Sequence, residues 1–434
     1  MRVWLSAIAV FLLGPTGGIA RAQNPSMPIP NGLKAAAVKV DITPATPQWL
    51  LGYQARQSNG VHDRIYHRVL ALEAGAASFY LISSDLCLFS PSLYESVTRD
   101  LEKETGIPAA QVWWSVTHTH AAPEVGPPDM YKALLGRSDH EWDRDYTAMV
   151  TRSLIDAVRT ARDRLEPARL AFGTGISMAN LNRRAKDVDG KISLGLNPDG
   201  PVDRTFNLIR VQRPDGAPIA LVANYAMHGT VMNGQNLKIS GDAPGTVAAY
   251  LEEKLGGVVL YINGAAGNIA PIYSVYPDPS SGHLSQFNVL LGDRILAAVA
   301  TMSAGTSAVT MRFGGQTVET PRKDGLAWPD ELAAYAGNDN RAVVRLPVRF
   351  LAIDDTVIWS APVEMFCEIA FAVRDRSPFA RTFYFGYTNG WFGYLPTAGG
   401  FEEGGYEPRT SPFTAQAESD VTGSVVGFIQ RFRR

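Results

Sequence analysis

Short apolar runs bounded by Gly, Pro, Asn or Asp alternate along this chain with longer stretches whose apolar residues fall three and four apart. The first pattern suits half-buried or buried strands, the second amphipathic helices. Residues 34–44 (KAAAVKVDITP), 68–74 (RVLALEA) and 78–89 (SFYLISSDLCLF) read as early strands. The spacing then predicts a helix over 91–106, with Pro91 near its start and Gly106 as its stop. Residues 111–120 (QVWWSVTHTH) return to β composition. The clearest helix covers 143–165, where Tyr146, Met149, Val150, Leu154, Ala157, Val158 and Ala161 form one apolar stripe. Strands follow at 169–175, 206–212 and 219–228, then a helix over 240–256 capped by Ser240 or Asp242. A fully apolar strand at 257–264 and a helix around 287–300 close this half.

Past Gly305 the β segments lengthen, at 308–319 and 344–362. A short helix after Pro362, an aromatic and Gly-rich stretch at 381–408 and a last helix over 415–432 complete the chain. Strands and helices alternate without a repeat or a low-complexity linker. The expected architecture is therefore a single large α/β domain, a mixed-sheet fold with helices packed on the sheets.

Composition changes the picture in three respects. Lys and Arg number 40 against 42 acidic residues with no long basic block, which excludes an electrostatic nucleic-acid footprint. Arg2, the apolar run LSAIAVFLLG and the ARA ending at Ala22 read as a secretory signal over residues 1–22, cleaved before Gln23. That run is too short to span a bilayer and no later one is long enough, so residues 23–434 are expected to be exported, with at most transient contact with a membrane surface. Cys87 and Cys367 both sit in apolar surroundings, and two buried free thiols are as good a reading as a disulfide.

The candidate chemistry centres on VTHTHAAP, Val116 to Pro123. Residues two apart on a strand share a face, so His118 and His120 are expected to project side by side where the strand gives way to AAPEVGPP. The pair alone leaves open a metal site or one hydrogen-bonded core histidine beside an exposed one. His228 ends a second apolar strand in the same manner, and two such strand ends favour the metal. The chain has neither G-x-S-x-G nor H-E-x-x-H, which leaves a serine-hydrolase elbow and the helical zinc-protease site without support. NGAAGN, Asn263 to Asn268, lacks phosphate-binding spacing and reads as a tight loop lining the site or packing beneath it.

The ordered blocks THTHAAP, NYAMHGTVMN with ISGDAPG, and GYLPT with GGYEP resemble those of the neutral (non-lysosomal) ceramidases. DITP, LLGYQARQSNGVHDRIYHR, NLNR and APVE fall in the corresponding order between and around them. The resemblance implies a neutral-ceramidase-like catalytic domain over 23–434 that uses Zn²⁺ and a metal-activated water to hydrolyse the amide of an N-acylated, lipid-like substrate. It implies His118, His228, Glu364 and Tyr394 as zinc ligands, and His120, Arg183 and Tyr406 as the groups that act on the scissile amide. Two imidazoles, a carboxylate and a phenol oxygen form a donor set suited to Zn²⁺. Arg183 and Tyr406 suit the charge that develops on the carbonyl oxygen, and His120 suits either polarising the amide or proton transfer to the departing amine.

Each residue taken singly has a blander reading. Glu364 fits the start of a helix at Met365, Tyr394 and Tyr406 fit an aromatic core, and Arg183 beside Arg184 fits a solvated surface. His62, His67, His140 and His283 have no support beyond structure. The sequence departs from the family in AAPEVGPPDM after the paired histidines and in the APG that follows SGD, and to Arg434 it contains no carboxyl-terminal Ig-like β-sandwich. These departures touch the loops that shape a substrate pocket. An ester or peptide hydrolase with the same metal, or a non-catalytic lipid- or glycan-binding module, therefore stands as the alternative.

Overall fold

A computed structural model describes residues 32–138, 140–274, 283–337 and 342–433. The expected signal segment lies outside the described residues. The chain opens with an antiparallel meander, β1 (Lys34–Asp41), β2 (Tyr66–Ala74) and β3 (Ala77–Ser84). Helix α1 (Pro91–Thr105) starts at Ser90, whose side chain accepts from Ser92 N–H, and stops at Gly106 in the left-handed region. It returns the chain to β4 (Val112–Val116), parallel to β3. Helix α2 (Arg144–Asp163) is capped by the Asp143 carboxylate and buries Tyr146, Val150, Leu154, Ala157, Val158 and Ala161, as its stripe requires. Each buried Val or Leu contributes about 1.5–3 kcal/mol. Met149 is a correction to that stripe: it sits at its edge and is exposed.

A second sheet comprises β5 (Arg169–Ile176), then, after the hairpin β6 (Asn180–Lys186) and β7 (Ile192–Asn197), β8 (Thr205–Gln212) and β9 (Pro218–Tyr225). Helix α3 (Asp242–Leu255) crosses to β10 (Val258–Asn263), parallel to β9. The strand β11 (Ile269–Pro271) extends the β6–β7 hairpin. After a π-helical turn at Asn288–Gly292, α4 (Asp293–Thr301) ends this half. A third sheet contains β12 (Met311–Pro321), β13 (Val343–Ile353), β14 (Thr356–Ser360) and, past the short β15 (Glu364–Met365) and α5 (Cys367–Arg374), β16 (Arg381–Phe385). The two-residue strand β17 (Tyr394–Leu395) pairs in parallel with β15, and α6 (Ala417–Arg433) finishes the chain.

The fold is mixed α/β, as the alternation of apolar periods predicts. The fully apolar strands become the sheet interiors, where Val222, Leu260, Ile262 and Phe385 share one apolar cluster. At the start of α3, Ser240 Oγ accepts from Asp242 N–H at 2.9 Å, as one of the two expected caps, whereas Asp242 acts differently. Asp242 is itself the first helical residue, with φ 54°, and its carboxylate turns back to accept from Val231 N–H at 3.1 Å and Met232 N–H at 2.9 Å. Satisfying those loop amides, next to His228, outweighs a conventional cap. Cys87 and Cys367 are buried free thiols. No helix among the described residues is long and apolar enough to cross a membrane.

Candidate metal centre

The carboxyl ends of parallel strands from all three sheets meet at one point. β4 leads to His118 and His120, β9 to His228, and β14 to Glu364. Asn263, at the end of β10, ties two of them together: its amide donates to the carbonyls of Met227 (2.8 Å) and Thr117 (3.3 Å) and accepts from Met227 N–H (3.0 Å). The two histidine loops then touch directly. His120 N–H donates to Gly229 O at 2.8 Å, and Gly229 N–H to His118 O at 3.2 Å. A Cβ on Gly229 would lie 2.7 Å from the His118 carbonyl, so only glycine permits this approach.

His118 and His120 converge, but not through strand alternation. The strand ends at Val116, and His118 takes φ 61°. That left-handed step places the two ring Nε2 atoms 3.1 Å apart. His118 Nδ1 lies 2.9 Å from the Cys87 carbonyl and His228 Nδ1 lies 2.9 Å from the Ile269 carbonyl. A carbonyl only accepts, so both Nδ1 atoms carry hydrogen and both rings turn their Nε2 atoms toward the cluster. Those Nε2 atoms face one carboxylate oxygen: Glu364 Oε2 is 3.1 Å from His228 Nε2 and 3.4 Å from His118 Nε2. The ligand atoms of these three buried residues all lie within 4.8 Å of one another, and Tyr394 Oη is 3.4 Å from His228 Nε2.

Electron pairs converging in a buried site repel unless a positive charge lies among them. The titration behaviour expresses that demand. Burial opposes charge on His118, yet the Glu364 carboxylate overrides it and lifts the imidazole to about 10. Burial likewise opposes charge on Glu364, and the His118 pairing still holds it well below the usual carboxylate range. His228 is pushed down to about 3 by burial and then by the Arg183 and His118 charges. His120 is held well below its ordinary value by burial and then by His118 and His228. The His118 proton is the positive charge the cluster calls for, and with a cation in its place two imidazoles held through Nδ1–H, a carboxylate and a phenol oxygen fit a divalent ion of the zinc type.

A cavity of about 730 Å³ opens onto the cluster, with His120, Arg183, Tyr394, Tyr406, Thr230 and Leu194 in its wall. Arg183 is buried on β6, not solvated. Its Nε donates to Glu407 at 3.0 Å and its Nη2 to Tyr394 Oη at 3.0 Å. Tyr406 lies with its ring centroid 5.6 Å from that of Tyr394, and burial and then Glu364 raise its hydroxyl to about 12. All seven residues singled out in the sequence therefore meet at this cavity or the cluster behind it. NGAAGN packs beneath, with Gly267 N–H on Met365 O at 2.8 Å.

Sequence reasoning missed four contributors. Trp391 and Tyr387 reach Glu364, Glu407 holds Arg183, and Gly52 lies against the His120 ring so closely that a Cβ there would enter it. Glu407 follows Tyr406 in GGYEP, and that adjacency was the available signal. Nothing in the sequence separates Trp391 and Tyr387 from neighbouring core aromatics.

The family model for neutral/alkaline non-lysosomal ceramidase, N-terminal, matches residues 35–280. His118, His120, Arg183 and His228 fall inside that match; Glu364, Tyr394 and Tyr406 lie beyond it and join the group by geometry. Neutral ceramidase A of Dictyostelium discoideum is 28% identical over 230 residues, 49% of this chain and 31% of that protein. The neutral ceramidase of Mycobacterium tuberculosis is 28% identical over 251 residues, 54% of this chain and 37% of that protein. The matches thus span about a third of the curated relatives' length. The solved neutral ceramidase from Pseudomonas aeruginosa shares the fold, with a TM-score of 0.75 over 93% of this chain and 75% of that one at 18% identity. A solved ceramidase complexed with C2 gives the same TM-score and coverage at 17% identity.

Proposed function

Because the chain belongs to the neutral/alkaline non-lysosomal ceramidase family, we propose that it is a zinc-dependent amidohydrolase that cleaves N-acylated, lipid-like substrates such as ceramide. One observation carries the reading: two histidine Nε2 atoms, oriented by carbonyl-bound Nδ1–H groups, converge on a single Glu364 oxygen behind a cavity lined by amide-polarising side chains. His118, His228, Glu364 and Tyr394 would hold the ion, which when bound supplies a Lewis acid and acidifies water. The donors come from positions spread over 118–394, which supports assigning residues 23–434 to one catalytic domain.

The chain's own residues supply the rest. Arg183 and Tyr406 face the cavity as donors for the carbonyl oxygen as it becomes negative, each contributing about 3 kcal/mol when well placed. Tyr406 remains a hydroxyl because burial raises its pKa, so it donates throughout the neutral range. His120 is half-buried and neutral, and its Nε2 points at the cluster. It takes the proton released by the attacking water and returns it to the departing nitrogen. Leu135 and Leu194 offer apolar wall to an aliphatic chain. The leader over residues 1–22 places the mature enzyme outside the cytoplasm, and an amino terminus at Gln23 by mass spectrometry checks it.

The test is turnover of an N-acyl amide panel before and after chelation, with metal analysis of the purified protein and of His118→Ala. Activity that vanishes with chelator and returns with zinc, and zinc lost from the variant, are the expected results. Undiminished zinc in the variant, or chelator-resistant hydrolysis, overturns the reading. Preference for esters or peptides over amides moves the chain to another bond class with the same metal.

A further inference from the structure

Glu364 has two carboxylate oxygens, and the fold treats them differently. Oε2 faces His228 and His118, whereas Oε1 accepts from the indole N–H of Trp391 at 2.9 Å. Trp391 is fully buried. An indole N–H donates and never accepts, so it competes for a carboxylate oxygen without binding a cation itself. A second donor, the Tyr387 hydroxyl, lies 3.5 Å from Oε2, and its ring stacks on His118 with centroids 4.3 Å apart.

The segment that carries both residues is clamped at each end. Trp114 N–H donates to Asn389 Oδ1 at 2.8 Å, and Asn389 N–H returns a bond to Trp114 O at 2.7 Å. Ser115 Oγ and Thr388 Oγ1 meet at 2.7 Å. Beyond Trp391, Phe392 N–H donates to Pro362 O at 2.8 Å and Glu364 N–H to Gly393 O at 3.0 Å. At the first clamp Tyr387 and Asn389 adopt φ 52° and 66°, left-handed values that non-glycine residues hold only when their surroundings fix them. Trp114 and Ser115 belong to β4, the strand that ends just before His118. One loop therefore joins the histidine strand to the glutamate strand, and Trp391 is its contact with Glu364 Oε1, the oxygen turned away from the histidines.

We propose that Trp391 is a positioning residue for the cation site: by occupying Oε1 it makes Glu364 a one-oxygen ligand and fixes the direction of Oε2. The inference rests on the zinc reading above. Hydrogen-bonded partners of metal ligands typically change metal affinity about 10–100-fold when removed.

The experiment measures zinc affinity by chelator competition in wild type, Trp391→Phe, Glu364→Ala and the double variant, together with the visible spectrum of each Co²⁺-loaded protein. Trp391→Phe is expected to weaken zinc about 10–100-fold and to alter the Co²⁺ bands. In the Glu364→Ala background the same change is expected to weaken zinc no further, since the carboxylate it positions is gone. Affinity within about twofold of wild type with an unchanged spectrum overturns the proposal. So does an equal loss in both backgrounds, which marks a merely structural effect. If the Phe variant does not fold, benzothienylalanine at position 391, isosteric with Trp but lacking the N–H, takes its place. A wild-type protein that binds no zinc sinks the functional reading; one that binds zinc while the variant is unperturbed sinks this inference alone.

Discussion

Glu407→Gln removes one charge from the centre of a buried network and nearly nothing from its volume. The wild-type carboxylate is fully buried, with Oε1 accepting from Arg183 at 3.0 Å and Oε2 from Arg184 at 2.6 Å. The amide keeps one acceptor, for one guanidinium, and turns its NH₂ toward the other. Removing one partner of a buried ion pair costs about 3–5 kcal/mol, and the retained acceptor places this variant near the lower end, about 3 kcal/mol. That is roughly a 150-fold shift toward the unfolded state. Urea unfolding should show a lower midpoint with an unchanged slope, since the surface exposed on unfolding is unaltered. Arg183 also loses the anchor that aims its Nη2 at Tyr394, so kcat should fall by about 10² with KM little changed. Glu403 supplies the contrast: its contact with Arg184 is 3.3 Å and its side chain is 46% exposed, so Glu403→Gln should cost less than about 1 kcal/mol. A Glu407→Gln midpoint equal to wild type refutes the reasoning, because the guanidiniums would then need no buried counter-charge.

His67 is fully buried between Ser84 Oγ and Val150 O, and burial lowers its pKa to about 4. The unfolded chain takes up that proton near 6.5, so stability is complete above that pH and drains away as pH falls toward 4. His67 alone should cost about 2 kcal/mol between pH 7 and pH 5, a slope that denaturant titrations of His67→Gln should lack. Gly52→Ala, at φ 110° and against the His120 ring, should cut amide turnover at least about tenfold while leaving zinc content unchanged, as metal analysis would show. A thiol reagent should find no reactive cysteine in the native protein and two after denaturation, since Cys87 and Cys367 are buried and free.

The sequence made the architecture legible because apolar periodicity is a local signal. Every strand and helix read from it between residues 34 and 301 has a counterpart, offset by a few residues at its ends. The hairpin of β6 and β7 escaped because its strands are not apolar: NLNRRAK and ISLGLN carry buried arginines and exposed leucines. The same inversion hid the meaning of Arg183 and Arg184, whose burial depends on Glu407, more than 220 residues away in sequence. His118, His120 and His228 were legible at strand ends. Glu364 and Tyr394 were legible only through resemblance, because the two-residue parallel strands that hold them leave no periodic trace. The reason for His118 and His120 converging was also hidden: a left-handed residue past the strand end, not the strand's alternation, brings them together.

These residues form one electrostatic arrangement. A cation held by His118, His228, Glu364 and Tyr394 would stand one tyrosine away from the Arg183 guanidinium, which donates to Tyr394 Oη at 3.0 Å. Two positive centres that close, in a site removed from water, repel by several kcal/mol at an effective dielectric of about 20. Glu407 offsets the guanidinium from the far side, which on the proposed reading would let Arg183 serve a carbonyl oxygen without weakening an ion beside it. On the near side Trp391 withdraws one Glu364 oxygen from the cluster, so a single negative atom faces the two imidazoles. The arginine's counter-charge and the ligand's orientation are thus set by residues that touch neither ion nor substrate. Both come from the chain after residue 386, beyond the stretch in which the histidines lie, so the folding of this last segment completes the site.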